Sequence, residues 1–281
     1  MNNTTNGILY LVATPIGNLG DITARAVQTL TDVDFIAAED TRVTLKLLGH
    51  LGIKKPLVSY YEHNRFQSGA KIIQRLLEGQ SCALVSDAGT PAISDPGEEL
   101  VRMCAEEGLA VLTIPGPCAA VSALSLSGLS SGRFTFEGFL STSRKSRFEH
   151  LQELKNERRT MIFYEAPHKL MRTLEDLLEV FGDRKLSISR ELTKLYEETL
   201  RMTLSQAIDH FSSSPVRGEF VLVIDGAAEA LIPEVSLDDA AKAATALVKE
   251  GMSVKDAAKK ISEETKLAKN AIYSAVLNRR Q

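Results

Sequence analysis

Short apolar runs alternate with amphipathic stretches through the first 129 residues. Runs at 8–13, 35–38, 57–60, 82–85 and 110–114 are four to six residues long and bounded by turn formers, as buried strands are. Asp21 and Thr23 stand before a helical stretch that ends near Leu30 and can cap it. Helices are predicted at 41–51 and 98–107, and Phe66, Ala70, Ile73 and Leu77 fall at helical spacing, predicting an amphipathic helix over 66–78. Strand and helix in alternation, with short connections, predict a mainly parallel sheet covered by helices: an α/β domain over 7–129.

The rhythm changes at Leu129-Ser130-Ser131-Gly132. Strands are predicted at 134–139, 160–164, 185–189, 198–203 and 219–224, with helices at 168–181 and 205–211. More strand per helix predicts a second α/β domain, 130–230, built on a mixed sheet. Its segment 141–159 is polar and basic, carrying Arg144, Lys145, Arg147, Lys155, Arg158 and Arg159. Ile232-Pro233-Glu234 reads as a linker. Beyond it, 234–281 predicts helices at 237–249, 254–264 and 269–277. From Lys255 to Gln281 seven Lys or Arg face three acids, a local excess of four positive charges. This tail reads as a helix-turn-helix or as a solvated helical appendage.

Three loops carry the candidate chemistry. Thr14-Pro15-Ile16-Gly17-Asn18-Leu19-Gly20 follows the first predicted strand, Ser86 to Gly97 the fourth and Pro115-Gly116-Pro117-Cys118 the fifth. Any one of them is ordinary punctuation. Three at strand ends predict a shared pocket, since open α/β sheets bind ligands beyond the carboxyl ends of their strands. The second loop holds two acids, two prolines, two glycines and three hydroxyl residues. Neither a phosphate-loop lysine pattern nor a dinucleotide glycine triplet is present.

Composition removes some classes. A net charge of −3 over 281 residues is not that of a protein that coats nucleic acid, so any RNA contact must come from local basic patches. Cys82, Cys104 and Cys118 lack metal-ligand spacing and fit a reducing cytosol, as do polar first residues without a signal-peptide pattern. Five scattered histidines give no metal site either. Residues 109–129 are uncharged and long enough to span a bilayer, but Pro115-Gly116-Pro117 in their midst makes strand, loop and buried helix the better account.

The series Thr14 to Leu19, Ala38-Glu39-Asp40-Thr41-Arg42, Ser86 to Gly97 and Pro115-Gly116-Pro117 resembles the tetrapyrrole-methylase-like methyltransferases. Within that superfamily, Phe163-Tyr164-Glu165-Ala166-Pro167-His168 and Ser189-Arg190-Glu191-Leu192-Thr193-Lys194 are similar to the small-subunit ribosomal RNA methyltransferases of type I. The resemblance covers residues 8–226. It implies two α/β domains of tetrapyrrole-methylase type, with S-adenosylmethionine as methyl donor bound between them and no metal. It further implies 2′-O-methylation of a cytidine ribose in the decoding region of 16S rRNA, on naked rRNA or the assembled 30S subunit, by a cytoplasmic homodimer without membrane attachment.

The cofactor residues expected on this basis are Pro15, Ile16, Gly17, Asp87, Ala88, Gly89, Thr90, Pro117, Cys118, Ala119 and Tyr164. Asp87 suits the donor's amine or ribose and equally suits a turn cap; Asp95, before Pro96, reads as a helix or turn cap. A ribose hydroxyl is a weak acid, so a base or cation should assist. Glu165 and Lys194 are the first candidates, ahead of Glu39, Asp40, His168 and Glu191, although Arg190, Glu191 and Lys194 also read as a structural ion-pair group. RNA contacts are expected at Arg42, His63, Arg65, Arg144, Lys145 and Arg147, with Lys46 and Asn64 beside them. Two other readings stay open: a tetrapyrrole C-methyltransferase, and a donor-binding module without turnover.

Overall fold

The computed structural model describes residues 6–213, 216–228 and 236–279. Contacts divide the chain into a unit ending at Ala227 and a second beginning at Ala228. The expected linker boundary at 230–234 lies outside the described residues.

The first sheet carries β1 (Ile8–Val12), β2 (Phe35–Ala38), β3 (Leu57–Ser59), β4 (Cys82–Val85) and β5 (Ala110–Ile114), with α1 (Ala24–Asp32), α2 (Thr41–Leu51), α3 (Arg65–Leu77) and α4 (Glu98–Glu106) in the connections. All pairings are parallel, in the order β3-β2-β4-β1-β5. Alternate residues of one strand go to opposite faces. Phe35, Ala37, Cys82 and Leu84 pack with Ile72, Leu76, Leu100 and Cys104 of α3 and α4, while Ile36, Ala38, Ala83 and Val85 pack with Ala26, Leu30 and Leu48 of α1 and α2. Both faces of the inner strands β2 and β4 are buried, hence their short, unbroken apolar runs. Thr23 caps α1 by accepting from the Ala26 amide at 3.1 Å, whereas Asp21 belongs to a short 3-10 turn.

α5 (Ala119–Ser127) leads to the second sheet, formed by β6 (Phe134–Phe139), β7 (Thr160–Glu165), β8 (Lys185–Arg190), β9 (Glu198–Thr203) and β10 (Phe220–Ile224). α6 (Arg144–Leu154), α7 (Leu170–Phe181) and α8 (Leu204–Ser212) connect them. The order is β6-β7-β10-β8-β9, parallel between β6 and β7 and antiparallel elsewhere, so the mixed sheet expected from the sequence is present. One face packs on α6, α7 and α8 through Leu151, Leu174, Leu177 and Ala207. The other receives α5: Ala120, Ala123 and Leu124 pack against Ile162, Val221 and Val223. The uncharged segment 109–129 is thus a strand, a loop and a helix that joins the two α/β domains, and no described helix is long and apolar enough to cross a membrane.

α6 was not foreseen. Of its residues only Arg147 and Leu151 are buried, so it shows almost no apolar periodicity.

In the second unit, α9 (Leu237–Lys249), α10 (Val254–Thr265) and α11 (Lys269–Asn278) enclose a small core of Ala240, Ala244, Ala257, Ala258, Ile261, Ile272 and Val276. Ser236 and Ser253 cap α9 and α10. Lys266, at φ 58°, makes the left-handed break before α11.

Candidate functional site

Neighbouring parallel strands bring the three loops to one edge of the first sheet, and hydrogen bonds tie them into one wall. Thr14 and Gly89 exchange backbone bonds, Thr14 N donating to Gly89 O at 2.9 Å and Gly89 N to Thr14 O at 3.0 Å. Thr90 Oγ1 donates to Pro117 O at 3.1 Å, linking the second loop to the third. Gly89 sits at φ 84°, where an L side chain is strained, and a Cβ there would lie 3.4 Å from Ile16 Cγ2. Ala92 and Ser94 also have left-handed φ, 66° and 64°, without being glycine. Such strain persists only where the surroundings enforce it, and it concentrates at ligand sites.

The second sheet supplies the opposite wall. Tyr164 Oη accepts from the Ala120 amide at 3.1 Å, pinning the start of α5 to the end of β7. Burial pushes the Tyr164 hydroxyl up to about 12, so it stays protonated at neutral pH. Phe139 and Phe136 pack edge-on to its ring at 5.5 and 5.0 Å.

Between the walls lies a cavity of about 580 Å³, in the range of small-molecule sites. Ile16, Asp87, Ala88, Gly89, Thr90, Cys118, Ala119 and Tyr164, all expected at a cofactor site, line it. Pro15, Gly17 and Pro117 do not. Pro117 holds Thr90, and a Cβ on Gly17 would collide with the Lys194 stem. Pro117 and Gly17 thus shape the loops from behind the wall.

The cavity is acidic. Glu39, Asp87 and Asp95 line it, and no lysine or arginine does. Burial, then the charges of Glu39 and Asp87, push Asp95 up to about 6, against a hydrogen bond from Ser86. Burial and the nearby Asp87 raise Glu39 as well. Asp87 Oδ1 accepts from the Asp40 amide at 3.1 Å, so Asp87 also fixes the start of α2. Asp95 is not the expected helix cap: α4 has Gly97 at its N-cap, with no side-chain capping bond. The chain turns sharply at Pro96-Gly97, and the carboxyl is left facing the cavity.

The two leading catalytic candidates are both engaged. Glu165, 3 % exposed, accepts from Thr173 Oγ1 at 2.5 Å and from the Ala166 amide at 2.8 Å, yet it still lines the cavity. Lys194 does not line it. Its Nζ pairs with Glu219 at 2.8 Å and Glu191 at 2.9 Å. Burial alone would lower Lys194, but bonds to Glu219 and Glu191 outweigh it and the pKa is raised, so the lysine is a fixed cation rather than a proton acceptor. This is the structural ion-pair reading of that motif. Asp40 is the N-cap of α2 and pairs with Arg42 at 2.6 Å.

Five of the six expected RNA contacts are at the surface. Arg42, Arg144 and Lys145 are exposed cations paired with Asp40, Glu179 and Glu149, His63 is exposed edge-on to Tyr61, and half-buried Arg65 pairs with Glu62. Arg147 is a correction: it is 3 % exposed, its Nε donating to Asp176 Oδ2 at 2.5 Å. Guanidinium charge within a basic run reads as surface, and only the turn of α6 carries it inward.

Sequence reasoning missed Ile93, Phe139, Ser189, Leu192 and Val221 on the cavity wall. Ile93 lies inside the Ser86 to Gly97 loop itself; the sole signal of the other four was position, at or near the strand ends of the second sheet that face the loops of the first. Among the described residues no group of three or more His, Cys, Asp or Glu is placed to hold a metal, and the three cysteines are free.

Residues 8–208 match the family Tetrapyrrole (Corrin/Porphyrin) Methylases, and 233–280 match the RsmI C-terminal HTH domain. The chain is 50 % identical over 272 residues to ribosomal RNA small subunit methyltransferase I of Synechocystis, covering 96 % of this chain and 98 % of that one. It is 45 % identical to the Bacillus subtilis protein of the same name, over 96 % of this chain and 94 % of that one. Among solved structures, cobalt precorrin-4 methyltransferase shares the fold at a TM-score of 0.58 and 17 % identity, over 78 % of this chain and 94 % of that one. Uroporphyrin-III C-methyltransferase of Thermus thermophilus, complexed with S-adenyl homocysteine, does so at 0.55 and 15 %, over 78 % and 97 %. With both its α/β body and its helical tail matched, the chain belongs to the ribosomal RNA small subunit methyltransferase I family.

Proposed function

We propose that the cavity holds S-adenosylmethionine and that the protein methylates the 2′-hydroxyl of a cytidine ribose in the decoding region of 16S rRNA. The observation that carries the donor assignment is the cluster of Glu39, Asp87 and Asp95 in a cavity that no lysine or arginine lines. The raised pKa values of Glu39 and Asp95 mark negative charge without compensation, which fits a ligand carrying a sulfonium and an ammonium group. Apolar Ile16, Ala88 and Ala119 offer surface for its adenine and methionine arm.

Bound there, the donor supplies an electrophilic methyl group, and the chain's part is alignment and proton removal. The cross-tied loops hold the cavity in shape, so less order is imposed on binding. Thr173 and the Ala166 amide occupy two of the four lone-pair sites of Glu165, which leaves the others to take a hydroxyl proton at the cavity wall. Lys194 braces Glu191 and Glu219 at its edge. Arg42, His63, Arg65, Arg144 and Lys145 supply exposed positions for phosphate contact, and the tail supplies a second RNA-binding element. The acceptor is the naked rRNA or the assembled 30S subunit, and the protein works in the cytoplasm as a homodimer.

The test is transfer of labelled methyl from S-adenosylmethionine to small subunits, deproteinised 16S rRNA and a porphyrin-like acceptor, with the modified nucleotide mapped. Label on a cytidine 2′-oxygen is expected. Label on the macrocycle alone, or donor binding without transfer, overturns the proposal. Asp87→Ala is expected to bind the donor at least ten-fold more weakly in calorimetry while remaining folded; wild-type affinity would remove Asp87 from the site.

A further inference from the structure

A smaller cavity of about 180 Å³ adjoins the donor cavity, and Glu165 and His168 line both. Its chemistry is the reverse of its neighbour's. Arg147, Lys169 and Arg172 line it, with Ser141 and Thr142 beside them. Set against these three cations are the carboxylates of Asp176, on Arg147 at 2.5 Å, and Glu165, 3.9 Å from Lys169. One positive charge is left over. Arg172 is its bearer, since it makes no hydrogen bond or ion pair with any described residue.

Two further features point to an anion. Arg147 is anchored along one edge, Nε on Asp176 and Nη1 on the carbonyls of Ser141 and Thr142 at 3.0 and 3.3 Å. Its Nη2 is buried with no hydrogen-bond partner among the described residues. A buried charged donor is costly to leave unmet, so its place beside a cavity calls for an acceptor there. The cavity also lies at the beginnings of two helices. Ser141 and Thr142 lead into α6, and His168 and Lys169 into α7. Neither helix has a side-chain capping bond or an acidic residue in its first turn; of the carboxylates nearby, Glu165 stands at the start of α7, 3.9 Å from Lys169, and Asp176 is taken by Arg147.

We propose that this cavity binds a phosphodiester group of the RNA strand, the phosphate beside the ribose that accepts the methyl group. The inference rests on the rRNA reading above. The 2′-oxygen and the oxygen carrying the 3′-phosphate sit on adjacent ribose carbons. A hydroxyl presented to Glu165 from the donor cavity therefore places its phosphate within reach of the cavity that shares Glu165 as a wall. The strand is gripped at the phosphate while its ribose is turned toward the methyl donor, the division of labour between positioning and chemistry seen wherever phosphate contacts set register.

Arg172→Gln, Lys169→Gln and Arg172→Lys test this in the full chain. Arg172 is exposed, so its substitution leaves the fold intact. Each Gln variant is expected to raise KM for the RNA acceptor roughly ten-fold and to lower the log–log salt slope of RNA binding by roughly 0.7–0.9, the loss of one phosphate contact. Donor affinity in calorimetry should not change, and Arg172→Lys should restore the slope. An unchanged KM and slope in both Gln variants overturns the inference, as does a loss of donor affinity, which would give the cavity to the donor's own carboxylate. If the wild-type protein transfers no methyl to RNA, the rRNA reading fails and takes this inference with it. If it does transfer and the Gln variants match it, this inference alone fails.

Discussion

Asp95→Asn should make the protein more stable and a weaker binder of its donor. In the folded chain the Asp95 carboxyl is pushed from 3.8 to about 6, by burial first and by Glu39 and Asp87 next. At 1.36 kcal/mol per pH unit, that difference is ~3 kcal/mol against the ionised form. The side chain is only partly buried, and screening by solvent reduces the figure to ~1.5 kcal/mol. The sign follows from linkage. Between the unfolded and folded values the folded chain holds the proton more tightly, so stability falls as pH rises. The penalty is absent below about 3.8, grows between the two values and is complete above about 6. An amide keeps the shape without the charge. Scanning calorimetry at pH 8 should therefore show the Tm of Asp95→Asn raised by roughly 3–6 °C, using ~2–4 °C per kcal/mol for a body of this size. At pH 5 the gain should shrink to roughly half, because wild-type Asp95 is then largely protonated. If the donor binds as proposed, its affinity at pH 8 should drop about ten-fold, since its cationic groups would offset Glu39, Asp87 and Asp95. A variant no more stable at pH 8 than at pH 5 relative to wild type, binding its donor normally, would refute the idea that Asp95 is an uncompensated charge kept for the ligand.

Donor affinity of the wild type should itself fall as pH drops below about 6, where Asp95 takes up a proton, and isothermal titration at pH 5, 6 and 7.5 would show it. Arg147→Met should cost about 3–5 kcal/mol in urea unfolding, because it leaves Asp176 buried and unpaired, whereas a surface arginine would cost almost nothing. Tyr164→Phe removes the acceptor of the Ala120 amide and should cost about 1–2 kcal/mol by the same assay; a neutral result would mean that the end of β7 does not hold α5.

Elements were legible almost throughout because the inner strands of the first sheet are buried on both faces and so are short apolar blocks, while the helices that cover them are amphipathic. β2 needed no more than Phe35-Ile36-Ala37-Ala38 to be seen. The loops that line the cavity were legible for a related reason: proline, glycine and acid packed together at strand ends serve poorly as core. Where apolar periodicity fails, the reading failed. α6 hides its role because charged and polar residues stand on nearly every face, and Arg147, inside its basic start, gives no sign of pointing inward.

The linear chain by itself determined that two α/β domains would form, that the loops at the strand ends would line one cavity, and which residues those loops contain. Folding decided which side chains in the loops are used. Asp95 became a cavity charge rather than a cap, Lys194 a brace rather than a base, and Arg147 a wall of a second cavity rather than a surface contact. The physical reason is that burial and partner choice set what a charged group can do. Both depend on residues far apart in sequence, such as Arg147 and Asp176 or Thr14 and Gly89, which only the packing of sheets and helices brings within hydrogen-bond reach.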